Sequence, residues 1–210
     1  MICISICEVS VKKILASFKK AEMFEIRLDM MNLTPEEIQT VFSQPVKLIA
    51  TCRQGNFSDD ERKQKLILAI QSGAAYVDIE VEVDNDFKKS IMYTAKKHNC
   101  KVIISYHNYK STPSVPVLKN IIENCFSSGA DIAKIACLAE TKQDAAKILS
   151  LYASQKNLVS IGMGQAGKIT RLASLLLGAP FTFASLEEGK ETAPGQITLK
   201  QIKTILDILK

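Results

Sequence analysis

Eight times along the chain, a short run rich in apolar and β-branched residues gives way to a stretch with helical spacing of its apolar positions. The predicted strands cover residues 2–7, 24–29, 47–52, 76–80, 101–106, 132–136, 158–162 and 181–184. Amphipathic segments between and after them include 61–72, 87–99, 118–127, 144–155 and 199–209. Capping signals sit where helices should begin: Thr34-Pro35-Glu36-Glu37, Ser58 with Glu61, Thr198 with Gln201 and, more weakly, Thr141 with Asp144. Gly73, Gly129 and Gly178 fall where helices should end. Eight βα units in 210 residues leave about 26 residues each, compact but sufficient for a (β/α)8 barrel. No Pro/Gly/Ser-rich linker interrupts the alternation, so residues 1–210 read as one barrel domain. The rival is an open doubly wound sheet, but eight parallel strands without an antiparallel edge would be unusually large for one, and a closed barrel leaves no edge to protect.

A parallel strand covered on both faces should be almost wholly apolar. Here several strands carry charge toward their C-terminal ends. Glu25, Arg27 and Asp29 share one parity in the second strand, Arg53 ends the third, and Asp78 and Glu80 share parity in the fourth. His107 follows the fifth, Lys134 lies within the sixth and Arg171 opens the helix after the seventh. Asp29, at a strand end, can reach water, and Glu25 can pair with Arg27. Lys134 fits no such structural role: it is flanked by Ile132, Ala133, Ile135 and Ala136, and lysines are rarely buried unpaired. Barrel active sites form at the C-terminal rim, where these residues converge. A lysine desolvated there near cations such as Arg53 and Arg171 is expected to shed its proton, attack a carbonyl and form a Schiff base. The protonated imine withdraws electrons and acidifies neighbouring C–H bonds. His107 is the good candidate for carrying that proton, whereas His98 sits in a lysine-rich helical stretch and reads as a solvated surface residue.

Gly162, Gly164 and Gly167 spell G-x-G-x-x-G, with Glu187 about 20 residues further on, as in dinucleotide-binding units. The seventh of eight units leaves too little chain after it for that fold, so a tight strand-to-helix turn able to help hold an anion is the better reading. The six cysteines form no CxxC pair, and two histidines offer little to a zinc site, so no metal or other cofactor is expected and the thiols read as small core residues of a reducing compartment. A net charge of +5 without a Lys/Arg block does not suggest nucleic acid. No apolar run reaches the roughly 18 residues of a membrane span. The first apolar stretch ends at Glu8 with lysines after it, unlike a signal peptide, and a cytoplasmic location is expected.

The segments EIRLD (25–29), SYHN (105–108) and AKIA (133–136), with Arg53, Met163, GKITRLASLLLG (167–178), FTFAS (181–185) and TAPGQ (192–196), span nearly the whole chain. Together they resemble the type I 3-dehydroquinate dehydratases, Schiff-base enzymes of the shikimate pathway. The resemblance implies that Lys134 forms the imine with the C3 ketone of 3-dehydroquinate. His107 would move the C2 proton and help the C1 hydroxyl leave. Arg171 would pair with the substrate carboxylate through its forked guanidinium. Glu25, Arg27, Arg53 and Gln196 would line the pocket, with Met163 beside them and Ser5 at its floor. Thr192 would replace a serine usual in the family. A homodimer is also implied.

One departure stands out. The family usually carries a glutamate-glycine-glycine segment after the position of Arg53, and here the stretch reads Gln54-Gly55-Asn56-Phe57-Ser58. The glutamate that supports the histidine is missing, so Asp78 or Glu80 is expected to hydrogen-bond His107, with Asp59, Asp60 and Glu61 as further candidates. Two other readings compete. Another Schiff-base barrel enzyme, such as a class I aldolase, shares the lysine but would need a phosphate site. A non-catalytic ligand-binding barrel would explain the lost glutamate but not the presence of both Lys134 and His107.

Overall fold

The computed structural model describes residues 1–8 and 10–209. Its eight parallel strands are β1 (Ile2–Ile6), β2 (Met23–Arg27), β3 (Lys47–Thr51), β4 (Tyr76–Glu80), β5 (Lys101–Asn108), β6 (Ile132–Leu138), β7 (Leu158–Met163) and β8 (Thr182–Ala184). They alternate with α1 (Val11–Ser17), α2 (Pro35–Phe42), α3 (Asp59–Gln71), α4 (Asn85–Lys97), α5 (Val115–Ser127), α6 (Lys142–Ser150), α7 (Lys168–Leu176) and α8 (Leu199–Ile208). This is a (β/α)8 barrel. The capping boxes expected at Thr34, Ser58, Thr141 and Thr198 all form, so local sequence sets where four helices begin.

Hydrogen-bonded strand order runs β7-β6-β5-β4-β3-β2-β1-β8, so closure is nearly but not fully made by backbone: β7 and β8 are the two ends of the order. The sequence expectation of a barrel without edges needs that correction. β8 is only three residues long and pairs with β1. The two buried hydroxyls without a hydrogen-bond partner among the described residues, Thr182 Oγ1 and Ser185 Oγ, lie on or directly after this strand.

The strands' two-residue period stacks the interior in layers. Cys3, Met23, Ile49, Ile103, Ile132, Val159 and Phe181 pack with Tyr76 as an apolar floor. Two residues further along the same strands come Ser5, Glu25, Thr51, Asp78, Ser105, Lys134, Ile161 and Phe183. This layer is therefore polar over six strands and apolar on β7 and β8. A further step brings Arg27, Arg53, Glu80, His107, Ala136 and Met163 to the rim. The opposite parity, including Ile4, Phe24, Leu48, Val77, Ile104 and Ile135, packs against the helices.

Most boundaries shift by one to three residues from the sequence expectation, and three differences alter its reading. β5 runs on to Asn108, so His107 lies within the strand rather than after it. β2 stops at Arg27, and Asp29 falls in a 3-10 turn, Leu28–Met30, where it is buried rather than in water. The segment 144–155 splits into α6 and a 3-10 turn, Leu151–Ala153.

Candidate active site

Lys134 is 5% exposed, on the inward parity of β6 opposite Ser105 of β5. Its Nζ donates to Asp78 Oδ2 at 2.9 Å, stands 3.8 Å from Glu25 Oε1 and lies 4.3 Å above the centre of the Phe183 ring. Two carboxylates therefore face the ammonium, where the sequence suggested crowding by cations. Arg53 is nearby and shares the same carboxylate oxygen: its Nη2 meets Asp78 Oδ2 at 2.7 Å. Ser105 Oγ completes the cluster, donating to Asp78 Oδ1 at 2.6 Å and accepting from Arg53 Nη1 at 3.0 Å. Burial works against the charge on Asp78, but Arg53 and Lys134 outweigh it and hold its carboxyl far below the usual carboxylate range. Burial likewise opposes the charge on Arg53, and Asp78 and Glu80 more than restore it.

Glu25 is fastened by two hydroxyls, Ser5 Oγ at 2.8 Å and Thr51 Oγ1 at 3.0 Å. Ser5 also accepts from Gln196 Nε2 at 3.4 Å, and the Gln196 side-chain carbonyl accepts from Thr192 N at 2.7 Å. The segment carrying Thr192 and Gln196 is thereby tied down to the floor of the pocket. Arg27 forks onto Asp29, Nε at 3.0 Å and Nη2 at 2.6 Å. All the residues singled out in the sequence as substrate contacts, Ser5, Glu25, Arg27, Arg53, Met163, Arg171, Thr192 and Gln196, line one pocket with Lys134 and His107. Phe183, Tyr109, Ala136, Ile161 and Ala193 also line it and escaped the sequence reading. Ile161 and Phe183 could have been found by parity. Tyr109 could not, because it lies beyond β5 in a loop.

Arg171 is fully buried. Its guanidinium meets only backbone carbonyls among the described residues: Gly195 at 3.0 Å, Phe183 at 3.4 Å and Pro194 at 3.4 Å. Burial without a carboxylate pulls it down to about 10. A cation held in this way is a receptor for an incoming anion. The glycine turn expected to help hold an anion is occupied instead. Gly162 N donates to Thr170 Oγ1 at 2.7 Å, and Gly164 N donates to Pro194 O at 3.2 Å.

His107 has its pKa lowered well below the ordinary histidine value, first by burial, then by Arg53 and Lys134, against a smaller opposing pull from Asp78. It is thus a neutral imidazole, able to accept a proton. The expected hydrogen bond from Asp78 or Glu80 does not form. Asp78 is spent on Lys134, Arg53 and Ser105, and Glu80 Oε2 accepts from Arg62 at 2.8 Å. The register explains this: Asp78 sits opposite Ile103, two inward positions below the level of His107. The further candidates are also committed, Asp59 to Arg62, Asp60 to Lys63 and Glu61 to the Ser58 cap. What does lie against the imidazole is Tyr109, its ring stacked at 15° with centroids 6.2 Å apart.

The arrangement can form an imine on Lys134, move a proton with His107 and seat a carboxylate on Arg171. Comparison with known proteins points the same way. The model of the family described as type I 3-dehydroquinase matches residues 2–210. The chain is similar to the 3-dehydroquinate dehydratase of Methanococcus maripaludis, 37% identical over 221 residues, with all of both chains covered. It is similar in structure to the 3-dehydroquinate dehydratase of Aquifex aeolicus, with a TM-score of 0.86, 27% identity, and 100% of this chain and 99% of that one covered. The enzyme of the same name from Geobacillus kaustophilus gives a TM-score of 0.88 at 23% identity, covering 99% of this chain and 90% of that one, and so shares the fold.

Proposed function

Since the chain belongs to the type I 3-dehydroquinase family, we propose that Lys134 is the residue through which it dehydrates 3-dehydroquinate to 3-dehydroshikimate, the third step of the shikimate pathway. The observation that carries this assignment is a lysine buried in an apolar strand, in one pocket with a neutral histidine and a carbonyl-bound arginine. Arg171 receives the substrate carboxylate. Lys134, as the neutral amine, adds to the C3 carbonyl, and with uptake of one proton from solvent the carbonyl oxygen leaves as water, giving a protonated imine. His107 takes the proton from C2, and the electron pair enters the imine as an enamine. His107 then returns the proton to the C1 hydroxyl, which departs as water while the double bond forms. Hydrolysis of the imine frees the product and restores the amine. Glu25, Arg27, Arg53 and Gln196 bind ring hydroxyls and the carboxylate. Thr192, Ser5 and Met163 shape the pocket around them. Asp78 acts on Lys134 directly and Glu80 through Arg53, rather than on His107.

The whole span 1–210 acts as one catalytic domain. It works as a homodimer in the cytoplasm without a resident cofactor. Support for association comes from the apolar side chains that α7 and α8 leave exposed, including Ile169, Leu176 and Ile208. Support for a reducing compartment comes from the free cysteines, five of them buried. No helix among the described residues is long and apolar enough to cross a membrane.

Borohydride reduction in the presence of 3-dehydroquinate tests the central assignment. A mass increase of one reduced substrate, mapped to Lys134 and absent in Lys134→Ala along with nearly all turnover, is the expected outcome. An adduct that persists in Lys134→Ala, or maps to Lys142 or Lys168, refutes it.

A further inference from the structure

Arg62 lies on α3, outside the substrate pocket, yet no part of it is exposed. A guanidinium is expensive to bury, and an apolar side chain of similar size would serve helix packing as well or better. Its contacts show where the charge is used. Nε donates to Cys52 O at the end of β3 at 3.0 Å, Nη1 meets Asp59 at 2.5 Å, and Nη2 donates to Glu80 Oε2 at 2.8 Å. Glu80 reaches the segment that follows β3: Oε2 stands 3.6 Å from Arg53 Nη1, and Oε1 accepts from Gln54 N at 3.3 Å. Arg53 holds Asp78, and Asp78 holds Lys134. From helix to reacting lysine, the charges alternate along Arg62, Glu80, Arg53, Asp78 and Lys134.

We propose that Arg62 is a positioning residue for the dehydration, fixing Glu80 so that Arg53 stays on Asp78 when Lys134 surrenders its charge. The step that needs this is imine formation. While Lys134 is a neutral amine, Arg53 is the remaining cation within contact of Asp78 among the described residues. If Arg53 drifts, Asp78 keeps Lys134 as its ion-pair partner and the Nζ that must add to the ketone stays tied to that carboxylate. Without Arg62, Glu80 is left to pull Arg53 Nη1 off Ser105. Without the Glu80 charge, Arg53 loses its backing. Either loss misplaces the same guanidinium. The inference rests on Lys134 being the imine-forming residue.

The test is single-turnover borohydride trapping with 3-dehydroquinate on the wild-type chain, Arg62→Met, Glu80→Gln, the double variant and Arg62→Lys, each assayed on its folded fraction. Labelling of Lys134 in the wild type checks the underlying reading separately, and its failure there would overturn that reading rather than the role of Arg62. Each of the first two variants is expected to slow imine formation about tenfold, the size of one charge-assisted hydrogen bond. The double variant should be no slower than the worse single one, since both act through Arg53. Arg62→Lys should recover part of the rate, because an ammonium can still reach Glu80. A folded Arg62→Met that traps at the wild-type rate overturns the proposal, as do losses that multiply in the double variant. If Arg62→Met does not fold, wild-type trapping in Glu80→Gln overturns it alone.

Discussion

At the scale of single residues, the charged side chains are best understood by what each is denied. Arg171 meets no carboxylate among the described residues, which is what suits it to the proposed part of receiving one from the substrate. Burial, reinforced by Arg53 and Lys134, keeps His107 in its neutral form at pH values where an ordinary histidine, with a pKa of about 6.5, is largely protonated. The sign follows directly. A lowered pKa keeps the base form present as pH falls through the usual histidine range. The acid limb of kcat/KM is therefore expected to inflect below about pH 6.5. A limb at pH 7 or above would show that His107 is not the base, or that a carboxylate reaches it after all. His107→Ala should still form the trapped adduct while turning over very slowly. The lysine, histidine and rim arginines were legible in the sequence because charge inside a parallel strand is conspicuous. Their pairing was not legible, since register decides it. Asp78 lies level with Ile103, which delivers its carboxylate to Lys134 and Arg53 rather than to His107.

At the scale of elements, the strand cores and four helix starts could be read from period and caps, because both are local rules. The course of the loops could not. Arg62, hidden inside an amphipathic-looking helix start, gave no sign of being fully buried. The 192–196 segment shows how a loop is placed. Gly195 has φ +74° and packs its α-carbon against the backbone of Gly164, where a β-carbon would collide with that carbonyl. Its own carbonyl accepts from Arg171 Nε. Gly195→Ala is expected to raise KM for 3-dehydroquinate about tenfold or more, since a left-handed alanine costs roughly 1–2 kcal/mol before the collision is counted. The melting temperature should also fall by several degrees, because the same strain is borne by the folded state alone, at roughly 2–4 °C per kcal/mol for a chain of this size. A variant with unchanged KM would show that the loop tolerates a shift without disturbing Arg171 or Gln196.

At the scale of the whole molecule, the alternation of eight strands with helices made the barrel legible, but nothing in the sequence marks how the ring is joined. The exposed apolar residues of α7 and α8 lead to an expected mass of two copies in sedimentation equilibrium, with single-copy behaviour at micromolar concentration counting against the dimer. The join between β7 and β8 carries a different consequence. No ladder joins the two strands, but Arg171 reaches from α7 to the Phe183 carbonyl of β8 and to the turn at Pro194 and Gly195, and Gly164 N, just after β7, donates to the Pro194 carbonyl of the same turn. A side chain thus helps to fasten this part of the ring, and it is the one proposed to grip the substrate. Whatever anion binds there in the folded state alone stabilises that state by mass action. On the proposed role of Arg171, substrate supply and the integrity of the barrel share one guanidinium, so the scaffold is held more firmly while it has work to do.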